Sequence, residues 1–463
     1  MLIRKLLILS TVLVTLLEFG LTVQAQEAKI PATTAKTITR TEDPVIMEGK
    51  LLPELMEKKI ENLRLFAFSG GEFKPIPFQI DEKLPDGSYV LPQLAPGMCE
   101  GKDVSANDED QGLFDKNDDL VFLVKDIGDR AAKSHWQAGY DKGMEIIVTD
   151  PLTDGKGYAY LLHFDSPPPP LEVDYVTTRP DGKDHTIIEA VTYTLGDVSS
   201  EFYYDYLSIV GNDGKKGPDL LDRLEKIRAK VKTRRLFLSI DFRFGFDVVT
   251  KTIPIAKKDG PVRIISRSKG VLDFKIIKIE ASGWGETFYY YNHFSRPIIL
   301  ELPVSLDKFL SDFDLYGACD FTKETYGSTV YDPVNTGGAL LDGKMGEAEK
   351  AMTTGVDHDW VLGTSPTMGT IFQRLFFPPE WLEHVNRGSY ILDDETIDDE
   401  PEDNPGQVHV GYHFGNFVKC LSKGRHVYWE YYYFPEKFKW GEQDKILNIL
   451  DNPVKTEAGP GIE

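Results

Sequence analysis

Cysteine is scarce: Cys99, Cys319 and Cys420 are the three in 463 residues. At most one internal disulfide can form and one thiol is left over, which excludes a scaffold built on disulfides. No Cys-x-x-Cys-His occurs, so covalently attached haem is excluded as a cofactor. The chain also lacks a Gly-x-Ser-x-Gly elbow, a phosphate loop ending in Gly-Lys-Ser/Thr, a His-Glu-x-x-His pair and a dinucleotide fingerprint after a strand, which leaves no nucleotide cofactor to expect. Beyond residue 25 no apolar stretch approaches the roughly 20 residues a membrane-spanning helix needs. Basic residues are outnumbered, 52 against 74 acids, for a formal charge of −22. That balance argues against nucleic acid or an anionic membrane surface as partner and is compatible with neutral glycans or divalent cations. No internal repeat of fixed period is present.

What the sequence does have begins with an export signal over residues 1–25. Arg4 and Lys5 give the positive start, residues 6–17 the apolar run, and Val23-Gln24-Ala25 the small-residue cleavage pattern. The expected location is the periplasm or the cell exterior. No cysteine follows the cleavage site, so a lipid anchor is not expected.

With 11% aromatics, 28 prolines and 40 glycines, the mature chain reads as a loop-punctuated β protein. Residues 26–42 look like a flexible lead-in. Short strands at 63–68, 76–80, 120–124, 144–148 and 158–164, separated by Ser69-Gly70-Gly71, Pro85-Asp86-Gly87 and Asp154-Gly155, predict an N-terminal β-sandwich over 43–165. Four prolines at 167–170, in a spacer over 166–170, mark a domain boundary. A larger antiparallel β domain, a sandwich or supersandwich with a few short helices, is expected over 171–455, with a tail at 456–463.

The organising stretch of that second domain is 236–304. Apolar residues alternate along it: Leu238, Ile240, Phe242, Phe244, Phe246 and Val248 fall on one face and Ser239, Asp241, Arg243 and Asp247 on the other. Further β-rich runs at 261–267, 271–280 and 287–294 follow, separated at Gly260, Lys269-Gly270 and Ser282-Gly283, too closely for crossover helices. Gly260-Pro261-Val262-Arg263 resembles the strands of exported sugar-handling supersandwich proteins. A helix is predicted over 218–232, because Leu220, Leu224, Ile227 and Val231 recur at helical spacing with Pro218 in the first turn and Asp219, Asp222 and Glu225 ahead of the basic end. Shorter helices are expected at 305–313, 379–386 and 442–450. Eight acids in the eleven residues 393–403 predict a solvated acidic insertion over 393–404.

Three places could carry chemistry. The acidic loop at 107–118 has oxygen-bearing residues at alternate positions and Gly112 sixth, and it resembles the twelve-residue calcium loop of EF-hand and dockerin-type modules. The expected calcium ligands are Asp108, Asp110, Asp115, Asn117 and Asp118. Next, strands at 407–421 and 426–434 joined by Ser422-Lys423-Gly424-Arg425 predict a hairpin. Its polar face would carry His409, His413, His426, Tyr428, Glu430 and Tyr432, and its core face Val427, Trp429 and Tyr431 among others. His409 and His413 are four residues apart, about 13 Å along a strand, too far to share one metal. The third place is Trp284 with Tyr289-Tyr290-Tyr291-Asn292-His293, where Tyr291 and His293 share a face. Val356-Asp357-His358-Asp359-Trp360 could supply a metal ligand or an acid/base pair.

Exposed aromatics beside carboxylates and imidazoles suit sugar rings. The leading expectation is a noncatalytic exported protein that binds glycan or cell-envelope material on a β face, through His413, Tyr428, Glu430, Tyr432, Tyr291 and His293. Two alternatives stand beside it: a polysaccharide-active hydrolase or lyase with carboxylate, His or Tyr acid/base chemistry, and a structural or assembly subunit that binds a protein partner.

Overall fold

The computed structural model describes residues 33–94, 108, 110–136, 139–182, 185–198, 203–235, 238–245, 250–274, 279–353, 357–397 and 407–462. The fold is mainly β and antiparallel. Residues 1–25, Cys99, Asn107, the expected core positions Phe246 and Val248, and the acidic run 398–404 lie outside the described residues.

Two facing sheets make the N-terminal sandwich. One is ordered Lys455–Ile462, Lys142–Thr149, Lys156–His163, Leu63–Ser69, Glu72–Pro75, and the other Pro44–Glu48, Asp119–Leu123, Gln79–Asp81. Alternating Val45, Met47, Leu65, Ala67, Leu120, Phe122, Ile146, Val148 and Leu161 fill the space between them. Residues 456–462, from the stretch expected as a tail, thus belong to the edge strand Lys455–Ile462 of the N-terminal sandwich, paired to Lys142–Thr149. The proline run has no regular structure, and Arg64 donates to the Pro168 carbonyl at 2.9 Å.

The rest of the chain packs a ten-stranded sheet against a five-stranded and a four-stranded one. The ten-stranded sheet contains the meander Thr250–Asp259, Arg263–Phe274, Ile279–Tyr290, His293–Leu302, followed in space by Gly424–Tyr433 and Gly369–Phe376. The breaks expected at Lys269-Gly270 and Ser282-Gly283 are not turns, because Gly270 and Gly283 are ladder partners in mid-strand.

The helix expected at 218–232 is instead the strand Leu221–Thr233. Its register against Leu310–Phe321 slips by one residue after Leu221 and again after Leu224. Two β-bulges, each inserting a residue, stretch the strand period of two to three. Positions 221, 224, 227, 229 and 231 therefore all face odd-numbered partners, 321, 319, 317, 315 and 313, and a strand counterfeits helical spacing. Its neighbour Ser239–Gly245 is the edge strand of that sheet, and Leu238, expected in the core, stands just before it at 51% exposure. Of the shorter helices, Pro379–Leu382 and Gln443–Asp451 form, whereas 305–313 holds a 3-10 turn, Leu306–Lys308, and the start of a strand. Glu347–Thr353 is a further helix. Asp393, expected in water, is buried, its carboxylate accepting from the Asp342 and Gly343 amides.

A buried polar cluster fixes the N-terminal sandwich to the ten-stranded sheet. The Gln79 side-chain oxygen accepts from the Val262 and Arg263 amides, and Asp81 pairs with Arg263 at 2.8 Å and Lys258 at 3.0 Å. Asp119 is held by Lys83 at 2.6 Å and by the Tyr89 hydroxyl at 2.8 Å. Each charge has a partner, as burial at this depth demands.

Candidate functional site

The expected C-terminal hairpin does not form. Val408–Gly415 lies in the five-stranded sheet between Leu310–Phe321 and Asn386–Leu392, while Gly424–Tyr433 lies in the ten-stranded sheet between Gly369–Phe376 and His293–Leu302. Asn416 takes a left-handed φ of 59°, and the 3-10 turn Phe417–Cys420 carries the chain from one sheet to the other. Cys420 and Cys319 are both buried thiols, and burial pushes Cys420 up to about 11.

That crossing inverts the expected faces. Tyr412 and Phe414 look across the sandwich at Tyr428, Glu430 and Tyr432, so these three residues assigned to an open platform are buried between the sheets. Glu430 pairs with the equally buried Arg296 at 2.8 Å, and Tyr432 stacks on Phe294 with centroids 4.6 Å apart. His413 is on the far side of its own sheet, stacked on Tyr316 at 4.3 Å with Asp314 at 4.0 Å. His409 is buried against Asp320 at 3.2 Å. His413 and Glu430 therefore belong to different surfaces and form no common site.

The open surface is the opposite face of Gly424–Tyr433. Direct ladder partners share a face in an antiparallel sheet, so Trp429 stands with Pro297 and Phe376, and Tyr431 with Ser295 and Arg374. Phe288 opposite Ser295 extends the face across the sheet, and Trp284 lies two alternations further along Phe288's strand. Trp429 is 36% exposed and Trp284 41%, while Tyr290, His293 and Tyr433 at the other end of the face are covered. The result is an aromatic shelf that ends in a closed corner.

The shelf rings are fixed in place. Phe288 stacks on Trp429 with centroids 6.2 Å apart, and Trp284 lies over the Arg267 guanidinium at 5.1 Å. Arg267 is buried and held by Glu286 at 2.7 Å and by the Tyr89 carbonyl at 2.8 Å. Arg374 lies over the Phe376 ring at 4.8 Å and bonds Asp359 at 3.1 Å. The carboxylates beside the shelf, Glu286 and Asp359, are thus each engaged by an arginine.

The run 289–293 is a turn between strands and not one continuous strand. Ile279–Tyr290 ends before Tyr291-Asn292, and His293 opens the next strand. Tyr289 and Phe294 therefore face the core together, and Tyr290 stacks on His293 at 4.4 Å. Tyr291 is buried and donates to the Thr41 carbonyl at 3.0 Å. Burial holds His293 down to about 3, so its ring is neutral.

In the acidic loop three of the expected calcium ligands, Asp115, Asn117 and Asp118, bond to the loop and to the backbone of Lys83. Asp118 accepts from the Lys83 and Asp115 amides, Asp115 from the Asn117 and Asp118 amides, and the Asn117 side chain donates to the Lys83 carbonyl at 2.7 Å. Burial, with Asp115 and Glu82 adding repulsion, pushes Asp118 up to about 7; burial and Asp110 push Asp108 up to about 6. A group the sequence did not suggest, Asp141, His163 and Asp165, brings its ligand atoms within 4.8 Å of one another. Asp141 is already bonded to His163 and to the Lys58 ammonium at 3.0 Å, and although burial opposes ionisation these partners draw it down to about 2. His358 stands 3.4 Å from Asp332 and accepts from the Ser389 amide at 3.2 Å, both through Nε2. That is not the relay a catalytic triad uses, in which the two ring nitrogens serve different partners.

Sequence reasoning singled out Trp284 but put Trp429 in the core. The available signal was that both faces of 427–433 carry large aromatics, so whichever face met the second sheet, rings would remain on the other.

No protein-family model matches this chain. No curated protein matches it either. Among solved structures it is similar to an alpha-mannosidase from Enterococcus faecalis V583, at a TM-score of 0.43 and 10% identity, over 92% of this chain and 45% of that one. The chain spans less than half the length of that enzyme.

Proposed function

We propose that the protein binds glycan or cell-envelope polysaccharide, without turning it over, on the outer face of its ten-stranded sheet. The observation that carries this reading is the pair of exposed, immobilised tryptophans, Trp284 and Trp429, bridged by Phe288. An aromatic face held in place offers C–H stacking to sugar rings with little ordering cost. A net charge of −22 suits an uncharged chain better than an acidic polysaccharide. Engagement of Glu286 and Asp359 by arginines favours binding over acid/base chemistry at this surface.

A glycan array followed by reducing-sugar and unsaturated-product assays tests the reading. Binding without product supports it. Product formation moves the assignment to the hydrolase or lyase alternative, and silence in both assays moves it to a protein-binding subunit. Calcium uptake by the loop around Asp115 is a separate proposal, supported by the burial and, after it, the neighbouring carboxylates that raise Asp108 and Asp118. Thermal melts with and without chelator test it, and an unchanged midpoint would count against it.

A further inference from the structure

At the closed end of the shelf the outer face runs into a cavity of about 270 Å³. Its floor is sheet, with Tyr431, Tyr433 and His293, and Tyr431 follows Trp429 by two residues, about 7 Å along the strand. One wall is the lead-in, with Glu42 and Asp43. The roof is aliphatic: Ile446, Ile449 and Leu450 of the helix Gln443–Asp451, then Pro453 and Val454.

The polar groups of the floor have a defined character. Asn292 donates its side-chain N–H to the Glu42 carbonyl at 3.3 Å, which turns its oxygen toward His293 Nδ1 at 2.7 Å. The His293 proton therefore sits on Nδ1, and Nε2 is left as a bare acceptor. Nε2 and the Tyr433 hydroxyl have no hydrogen-bond partner among the described residues, and both residues line the cavity. A hydroxylated guest there can therefore reach them.

The acids do not make the cavity a cation site. Asp43 is engaged by Arg40 through both carboxylate oxygens, and Glu42 by Lys445 at 2.8 Å and the Thr41 amide at 2.6 Å. With these charges internally matched, a charged ligand would enter without a counterion. What fits is an uncharged molecule that is hydroxylated along one edge and apolar on one face. The volume, just under the roughly 300 Å³ at which drug-sized pockets begin, has room for one ring.

We propose that this cavity captures the terminal, uncharged pyranose of a glycan whose following rings lie along Trp429, Phe288 and Trp284. The inference rests on the shelf reading and adds an end-specific site to it. Recognition would then require an accessible chain end.

The test is thermal shift of the full chain with methyl glycosides of glucose, mannose, galactose and N-acetylglucosamine, and with glucuronate. At least one uncharged glycoside should raise the midpoint in a saturable way, and glucuronate should not. Ile449→Trp, which fills the cavity, should abolish the shift, and Tyr433→Phe, which keeps the ring but removes the hydroxyl, should weaken binding about tenfold. Tyr433→Phe decides the matter should Ile449→Trp not fold. No shift with any uncharged glycoside, a shift that survives both substitutions, or an equal shift with glucuronate would overturn the proposal. The shelf is read separately, by retention of Trp284→Ala and Trp429→Ala on insoluble polysaccharide, so that loss of one reading is not mistaken for loss of the other.

Discussion

At the scale of single residues, Glu430 and Arg296 bind each other inside the sandwich, at 2.8 Å and both buried. Removing one partner of a buried pair leaves the other charge stranded, which costs about 3–5 kcal/mol. Glu430→Ala should therefore lower the stability measured by urea unfolding by about that much. A variant as stable as the wild type would show the pair to be solvated. Asp118 gives the pH dependence. Its folded pKa of about 7 lies above its ordinary value near 4, so between those values the folded state holds the proton more firmly. Its contribution to stability is complete below pH 4 and is lost as pH rises to 7. Relative to Asp118→Asn, the wild type should lose urea midpoint between pH 5 and pH 8 in chelator, and parallel curves would refute the assignment. Residue types were legible where chemistry is local, as in the crowded loop around Asp115. The side a residue faces was not, because Tyr428 and Trp429 differ by one position and only the opposing sheet decides which is buried.

At the scale of elements, the strand Lys455–Ile462 covers the edge of Lys142–Thr149. An uncovered edge is a template for pairing with another chain. Truncation after Val454 should lower the thermal midpoint and raise light scattering on concentration; a truncated chain that stays monomeric with an unchanged midpoint would contradict this. Elements such as Leu63–Ser69 and Lys156–His163 were legible because a short apolar run between turn residues reads as a buried strand. The strand Leu221–Thr233 was not, because two bulges give it a period of three. The last two long strands were recognised as strands and mispaired, since a partner such as His293–Leu302, more than a hundred residues away, leaves no mark on local sequence.

At the scale of the whole molecule, a β architecture of two packed regions was legible from turn spacing and aromatic content. The junction was not, because Gln79, Asp81, Asp119, Lys258 and Arg263 come from distant strands and meet only when both regions are folded. The same junction, with the helix Gln443–Asp451, covers Tyr290 and Tyr433 on the ten-stranded sheet's outer face and leaves Trp284 and Trp429 open. Binding there should be insensitive to salt, since stacking on an uncharged glycan involves no ion pair to screen. The most direct measurement is retention of the full chain on an insoluble polysaccharide identified on the array, at 50 and 500 mM salt, for the wild type and for Trp284→Ala/Trp429→Ala. The account predicts at least tenfold weaker retention for the double variant at both salt concentrations, with an unchanged thermal midpoint. Equal retention by the two proteins would contradict it.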